Sequence, residues 1–274
     1  MPEVSSVQQS DVRAAIARAS AATGVDFNYL LAQAKIESAL NPEARARTSS
    51  AAGLYQFTSS TWLETLDRHG SRHGLQWADD AIGRSGGRAV VDPSMRSHVM
   101  GLRYNADASA LMAAELARDN AGELRGVLGR EPDASELYLA HFLGAGGART
   151  FLTALQSDPG QSAAGLFPQA AGANRSIFFD GGRSRSVGEV MDLMRGKVAS
   201  AMEGGAPPAW GYPAATSFAS AAPSRSASTP AETAQRRPSM AETLQATFGG
   251  SGQLAGAAGE RVGQAYAKFK AFNL

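Results

Sequence analysis

Glu37 is the residue of this chain whose sequence surroundings most favour acid–base chemistry. The segment from Tyr29 to Leu40 carries apolar residues at the helical period. At about 100° per residue, Glu37 falls within roughly 20° of Leu30, inside the apolar arc. Burial disfavours the charged form of a carboxyl group, so this glutamate should hold its proton closer to neutral pH, as a general acid must. The alternative is a glutamate at the edge of the core with its carboxylate in solvent.

Two short motifs follow this acid in a set order. The pair Glu37-Ser38 precedes Asn41-Pro42, where the proline predicts the end of the helix, and Gly53-Leu54-Tyr55-Gln56 comes next. In this order and at this spacing, the residues resemble the catalytic domain of the soluble lytic transglycosylases, a lysozyme-like family that cuts bacterial peptidoglycan. Each motif alone is weak evidence, but together they are specific.

A third motif of that family has its counterpart at Tyr138–Ala148, where the chain departs from the pattern. Phe142 stands where the family usually has a tyrosine, whose hydroxyl supports the catalytic glutamate, and Leu143 replaces an asparagine. Tyr138 shares a helix face with both His141 and Phe142, so Tyr138 or His141 is expected to supply the missing polar contact. The alternative is that Tyr138 and Phe142 are core aromatics.

The resemblance implies a reaction that depends on one carboxyl group. Glu37 would first protonate the glycosidic oxygen that leaves C1 of N-acetylmuramic acid. It would then take the proton of the C6 hydroxyl of that sugar, which closes onto C1 as a 1,6-anhydro ring. A lysozyme-type hydrolase (muramidase), assisted by Asp79 or Asp80, is one alternative. A non-enzymatic wall-binding assembly protein that keeps the fold is another.

A substrate-binding set is expected around the acid. The Gln56 amide suits N-acetyl groups and sugar hydroxyls, and Gly53 would let a ligand approach the backbone closely or serve only as a structural turn. Tyr55 and Phe57 offer flat faces for sugar rings, although alternation allows one of them to be core. The predicted substrate-binding residues are Ser38, Gly53, Tyr55, Gln56, Tyr138, His141 and Phe142.

Composition narrows the classes of function. The 274 residues include no cysteine and carry a formal net charge of +1, which argues against thiol chemistry, thiolate metal sites and a nucleic-acid partner. His69 and His73 have a spacing that can hold zinc, but they are better interpreted as surface histidines beside a flexible loop. No metal or other cofactor is expected.

Neither a membrane span nor a secretory signal is recognisable in the sequence. Because peptidoglycan is the expected partner, the protein is predicted to be periplasmic or otherwise exported, as a monomer. A signal would have been removed, or a dedicated secretion apparatus would export the chain.

Helical periodicity predicts an all-α fold: a lysozyme-like helical domain with a helical extension and a flexible C-terminal tail. Helices are expected over 11–22, 29–40, 59–66, 94–116, 121–128, 134–143 and 186–202, with a further helical turn or two over 148–155 and long loops over 70–92 and 160–174. The predicted divisions are a catalytic domain at 8–160, the packed extension at 161–203, an Ala/Pro/Ser-rich linker at 204–239 and a helical tail at 240–274.

The tail carries three apolar residues at helical spacing, called here the docking stripe. Val262, Tyr266 and Phe269 follow helical spacing and predict a docking helix for a protein of an envelope machine, such as a flagellum, pilus or secretion system. The alternative is that this stripe folds back onto the catalytic domain.

Overall fold

Helices dominate the part of the chain that the structure, a computed structural model, describes, which is residues 6–204. In chain order the elements are α1 Ser6–Thr23, α2 Phe27–Ser38, α3 Ser59–His69, α4 Gln76–Asp79, β1 Ile82–Ser85, β2 Arg88–Val91, α5 Arg96–Gly101, α6 Ala106–Leu128, α7 Ala134–Ser157, α8 Ala163–Leu166, α9 Pro168–Ala173, α10 Arg175–Phe178, β3 Phe179–Asp180, β4 Arg183–Ser184 and α11 Val187–Met202. The two antiparallel hairpins, β1–β2 and β3–β4, are the only sheets among these residues. The predicted all-α, lysozyme-like fold class is therefore confirmed.

Side-chain caps set the start of several helices. Asp26 accepts a hydrogen bond from the Tyr29 N–H at 2.8 Å and so begins α2. Thr58 accepts one from the Thr61 N–H at 3.3 Å and begins α3. Ser186 and Glu189 form a reciprocal capping box at the start of α11. These contacts are local, so the sequence alone is enough to place them.

The central helix of the fold is α2. Nine of its 12 residues are buried, which means that it is covered on almost every side. Helix α11 packs against both α2 and α7, while α6 packs against α1 and α7. The predicted extension therefore includes a helix, α11, that touches the two helices carrying most of the predicted site.

Four predicted segments differ from the structure, and two of them are expected loops that contain regular elements. The expected loop over 70–92 contains the β1–β2 hairpin, whose turn is the pair Gly86-Gly87, both at positive φ. Only Ile82 and Val91 of the hairpin are buried, so it leaves no alternating pattern in the sequence. The expected loop over 160–174 contains α8 and α9.

The other two differences concern where helices begin and end. The helix expected over 94–116 is broken at Asn105, whose side chain caps α6 by accepting from the Ala108 N–H, and α6 then continues to Leu128. The segments expected over 134–143 and 148–155 form one helix, α7, which continues to Ser157 with a kink at Gly144 (φ 73°, ψ 159°). Asn105 and Gly144 both interrupt regular helix geometry, as residues of these types often do. Packing decided whether the interruption ended the helix, as at Asn105, or only bent it, as at Gly144.

The described helices include none that is long and apolar enough to cross a bilayer. The predicted linker, apart from its first residue Gly204, and the predicted tail with its docking stripe lie outside the described residues.

Candidate active site

Glu37 is buried at the C-terminal end of the central helix. Its exposed fraction is 2%, and α2 ends at the next residue, Ser38. Ala39 and Leu40 follow in the left-handed region, at φ 52° and 63°, an uncommon conformation for residues with a side chain. The predicted burial of Glu37 is therefore confirmed, and an unusual turn of the backbone follows it directly.

Two side chains of α7 contact the Glu37 carboxylate. The Tyr138 hydroxyl donates to Glu37 Oε1 at 3.1 Å, and His141 Nε2 lies 3.4 Å from the same oxygen. The two rings are stacked, with centroids 6.1 Å apart. Both residues predicted to replace the hydroxyl missing at Phe142 thus reach the carboxylate, and Tyr138 does so with a hydrogen bond.

Tyr138 keeps its proton in this setting. Burial raises the pKa of its phenol well above the ordinary value, and the negative charge of Glu37 and the hydrogen bond to it act in the same direction. Tyr29, on α2, has a raised pKa for the same first two reasons. The hydroxyl of Tyr138 therefore remains a hydrogen-bond donor to the carboxylate throughout the physiological pH range.

Phe142 packs inside the protein, behind the residues that contact Glu37. Its side chain is 4% exposed and stacks on Phe178, with ring centroids 6.3 Å apart. The ring therefore fills the core between α7 and α10, as the alternative interpretation predicts, and its contact with substrate stays a prediction.

Tyr55 and Phe57 are also core residues, with exposed fractions of 0% and 2%. The Tyr55 hydroxyl donates to the Leu30 carbonyl at 3.1 Å, across to the central helix. Neither ring exposes a face to solvent in this structure, and the stacking role expected of them stays a prediction. The alternation of side chains along 55–57 was expected to allow one of the two rings to be core. Short bridges between Arg45 and Ala52 and between Ala52 and Phe57 fold this segment so that both rings point inward.

Ser38 and Gln56 make hydrogen bonds within the protein. The Ser38 hydroxyl lies 2.8 Å from the Leu54 carbonyl, which ties the end of α2 to the following loop. The Gln56 amide donates to the carbonyls of Gly53 at 2.9 Å and Ala44 at 3.2 Å. Their proposed contact with substrate stays a prediction, while their contact with the loop beside Glu37 is observed.

Gly53 is required by the protein backbone. It lies at φ +80°, and a Cβ added there would come within 1.9 Å of the Arg103 carbonyl oxygen. The close approach that the glycine permits in this structure is to Arg103, in agreement with the structural interpretation, and its contact with substrate stays a prediction.

Arg103 was not identified from the sequence. Its side chain is 8% exposed and donates to the carbonyls of Ser50 at 2.7 Å and Phe57 at 3.1 Å. Burial lowers the pKa of its guanidinium, but an arginine remains charged at neutral pH. Arg103 thus clamps both ends of the 50–57 loop, and no local pattern in the sequence could have indicated it.

Lys197 was also missed, although the sequence carries a signal for it. It lies three residues after Met194 and seven after Val190 in α11, on the buried face of that helix. A charged residue inside an apolar arc is the same signal that identified Glu37. Applied to α11, it would have predicted a buried lysine.

His69 and His73 are not surface histidines. His69 Nε2 lies 2.9 Å from Asp119 Oδ2, and His73 Nε2 lies 2.7 Å from the buried Glu115 Oε1. The prediction that they flank a flexible loop is wrong, because they anchor the end of α3 and its 3₁₀ continuation to α6. Residues 6–204 contain no group of three or more side chains arranged to hold a metal ion.

The site is nearly closed. The Glu37 side chain is 3% exposed and that of His141 is 12% exposed. A cavity of about 400 Å³ lies beside His69, Arg72 and Arg118, and another of about 500 Å³ lies beside α7 and Leu166; Glu37 lines neither. His141 is therefore the more accessible of the two residues in this contact.

Comparison with known families supports one type of chemistry. Residues 14–80 match the family model described as the transglycosylase SLT domain. The match contains Glu37 and Gly53–Gln56 and is consistent with the soluble lytic transglycosylase family. It supports a peptidoglycan-cleaving function of the lytic transglycosylase type, in a family that acts on the cell wall. Tyr138, His141 and Lys197 lie beyond the matched residues.

Proposed function

We propose, from the SLT-domain match and the buried Glu37 within it, that the protein is a peptidoglycan lytic transglycosylase. The bond cut is the β-1,4 linkage from N-acetylmuramic acid to N-acetylglucosamine, and the product is a 1,6-anhydro-muramic end. The observation that carries the proposal is the Glu37 carboxylate, contacted by the Tyr138 hydroxyl and lying 3.4 Å from His141 Nε2.

In the first step Glu37 acts as the acid. Its carboxyl proton passes to the glycosidic oxygen while the bond from that oxygen to C1 of the muramic sugar breaks. The leaving sugar departs with a new hydroxyl, and positive charge develops at C1. Glu37 is now a carboxylate, which the Tyr138 hydroxyl stabilises by donating to Oε1.

In the second step Glu37 acts as the base. It takes the proton from the C6 hydroxyl of the same sugar as that oxygen bonds to C1, which restores the carboxylic acid and consumes no water. Most glycosidases divide these roles between two carboxylates. The groups that contact Glu37 here are a phenol and an imidazole, which favours the use of one carboxylate twice.

Substrate access requires a local rearrangement. A general acid must come within about 3 Å of the oxygen that it protonates, but only 3% of the Glu37 side chain is exposed. Rotation of His141, the more exposed neighbour, is the smallest movement that would open the carboxylate to a glycan strand.

The mass of the released muropeptides tests the proposed function. Purified sacculi digested with the full-length protein should yield fragments about 18 Da lighter than those from a muramidase, because the anhydro ring forms without water. Hydrated fragments would instead support the hydrolase alternative. No fragments, with retained binding to sacculi, would support a wall-binding protein.

Tyr138→Phe tests the support of the carboxylate. We expect the cleavage rate to fall about 10- to 100-fold, since a hydrogen bond to a charged group is worth about 1.5–3 kcal/mol. The fold should persist, because phenylalanine fills the same space. Circular dichroism and initial rates on sacculi measure both effects, with Tyr104→Phe as the matched control. An unchanged rate would show that Tyr138 does not support Glu37 and would leave His141 as the supporting group.

A further inference from the structure

Lys197 is a buried cation in the helix that covers the site. Its exposed fraction is 3%, and it lies on the face of α11 that carries Met194 and Val198. Lysine is almost never fully buried unless a partner compensates for the lost hydration. Some group inside the fold must therefore compensate the charge of the Lys197 ammonium.

The partner of Lys197 is not a direct ion pair. Among residues 6–204, no carboxylate lies within the 4.0 Å ion-pair distance of its ammonium group. Its Nζ lies instead 5.8 Å from the centroid of the Tyr138 ring, a favourable distance for a cation over an aromatic face. The hydroxyl of that same ring donates to Glu37, so the lysine, the phenol and the carboxylate form one continuous group.

The charges around Glu37 identify what Lys197 balances. From α2 the site receives Glu37 and Tyr29, and from α7 it receives Tyr138 and His141. Lys35, also on α2, donates instead to the Ala201 carbonyl of α11 at 2.7 Å. Both tyrosines are neutral, because their pKa values are raised. Lys197 is therefore a buried cation facing the one buried carboxylate of this group.

Electrostatics agrees with this geometry. Burial lowers the pKa of the Lys197 ammonium, and the negative charge of Glu37 raises it. This interaction is reciprocal. The free energy by which the Glu37 carboxylate stabilises the Lys197 ammonium also stabilises the carboxylate itself.

We propose that Lys197 is a positioning residue of the Glu37 site, whose ammonium, held over the Tyr138 ring, stabilises the Glu37 carboxylate that forms midway through the reaction. The role of that carboxylate as a base rests on the proposed function; the charge coupling between the two groups does not. The proposal makes α11, outside the matched SLT domain, part of the catalytic apparatus.

Lys197→Met is the test, because methionine keeps an unbranched stem and removes the charge. Without the cation the neutral form of Glu37 is favoured, so its titration midpoint should lie higher in the variant than in the wild type. Carbon-13 NMR of protein labelled at the glutamate carboxyl groups follows this midpoint, and Glu37→Gln identifies the signal. The alkaline limb of the plot of kcat against pH should move upward equally. A purely structural role for Lys197 would change neither.

Two further variants control for charge and for folding. Lys197→Arg keeps the cation and should hold both the midpoint and the pH profile near the wild-type values. Arg195→Met removes a cation from the same helix whose side chain is 51% exposed, and solvent screening should leave the Glu37 midpoint unchanged. If Lys197→Met does not fold, Lys197→Gln takes its place in the same titration.

The NMR titration separates the two proposals. A wild-type protein that releases no fragments overturns the proposed function, yet the midpoint of Glu37 still reports the coupling to Lys197. An unchanged midpoint in the folded Lys197 variant overturns the role of Lys197 even if sacculi are digested. A raised midpoint with an unmoved kcat profile overturns its role in the reaction.

Discussion

Glu37→Gln should abolish most of the cleavage of sacculi while leaving the fold intact. General acid–base action contributes about 10²- to 10⁴-fold in rate, and in the proposed reaction one group performs both proton transfers, so the loss should reach the upper end of that range. Glutamine is nearly isosteric and adds no charge to a site with an exposed fraction of 2%. Its stability should therefore stay the same or rise slightly.

Initial rates of muropeptide release measure the loss, and thermal denaturation verifies the fold. Glu43→Gln is the matched control, because Glu43 is an exposed glutamate six positions further along the chain and its carboxylate should have no part in the chemistry. Digestion by Glu37→Gln at a rate near that of the wild type would show that the acid lies elsewhere.

Gly53→Ala should give the largest loss of stability among single substitutions near the site. The new methyl group would lie 1.9 Å from the Arg103 carbonyl oxygen, so one backbone segment must move. The φ of +80° at this position adds a cost of about 1 kcal/mol for a residue with a side chain. Together with overpacking of about 1–3 kcal/mol, we expect a loss of about 2–4 kcal/mol in the free energy of unfolding.

Urea denaturation measures this loss. Gly24→Ala is a matched control, because Gly24 has a similar φ of +78° but no atom within 4 Å of an added Cβ. It should lose only about 1 kcal/mol, the cost of the backbone conformation alone. Equal losses for the two variants would mean that the contact with Arg103 is not what requires glycine at position 53.

Local patterns were sufficient to predict most of the long helices and the burial of the acid. A side chain that repeats at the helical period must lie on one face, so Glu37 could be placed beside Leu30 before any tertiary contact was known. The caps Asp26 and Ser186 bind N–H groups within three residues, and Pro42 excludes helix at Asn41 by a local steric clash. Such effects involve neighbours along the chain and need no knowledge of the fold.

What surrounds the acid was decided by contacts between distant parts of the chain. Tyr138 reaches Glu37 across 101 residues of sequence, and Arg103 reaches Ser50 across 53. Alternation in the 53–57 segment could not tell an exposed ring from a buried one, because the 44–57 segment folds back on α2 and turns both Tyr55 and Phe57 inward.

Helix α11 shows most clearly which features depend on local sequence and which depend on tertiary packing. The sequence alone determined that 186–202 is a helix with one apolar face, since its periodicity is a local property. That this face covers α2 and α7, and so brings Lys197 over the Tyr138 ring, was decided only by tertiary packing. An apolar face specifies that it must be buried, but the surface that buries it is selected by shape and charge complementarity across the whole fold.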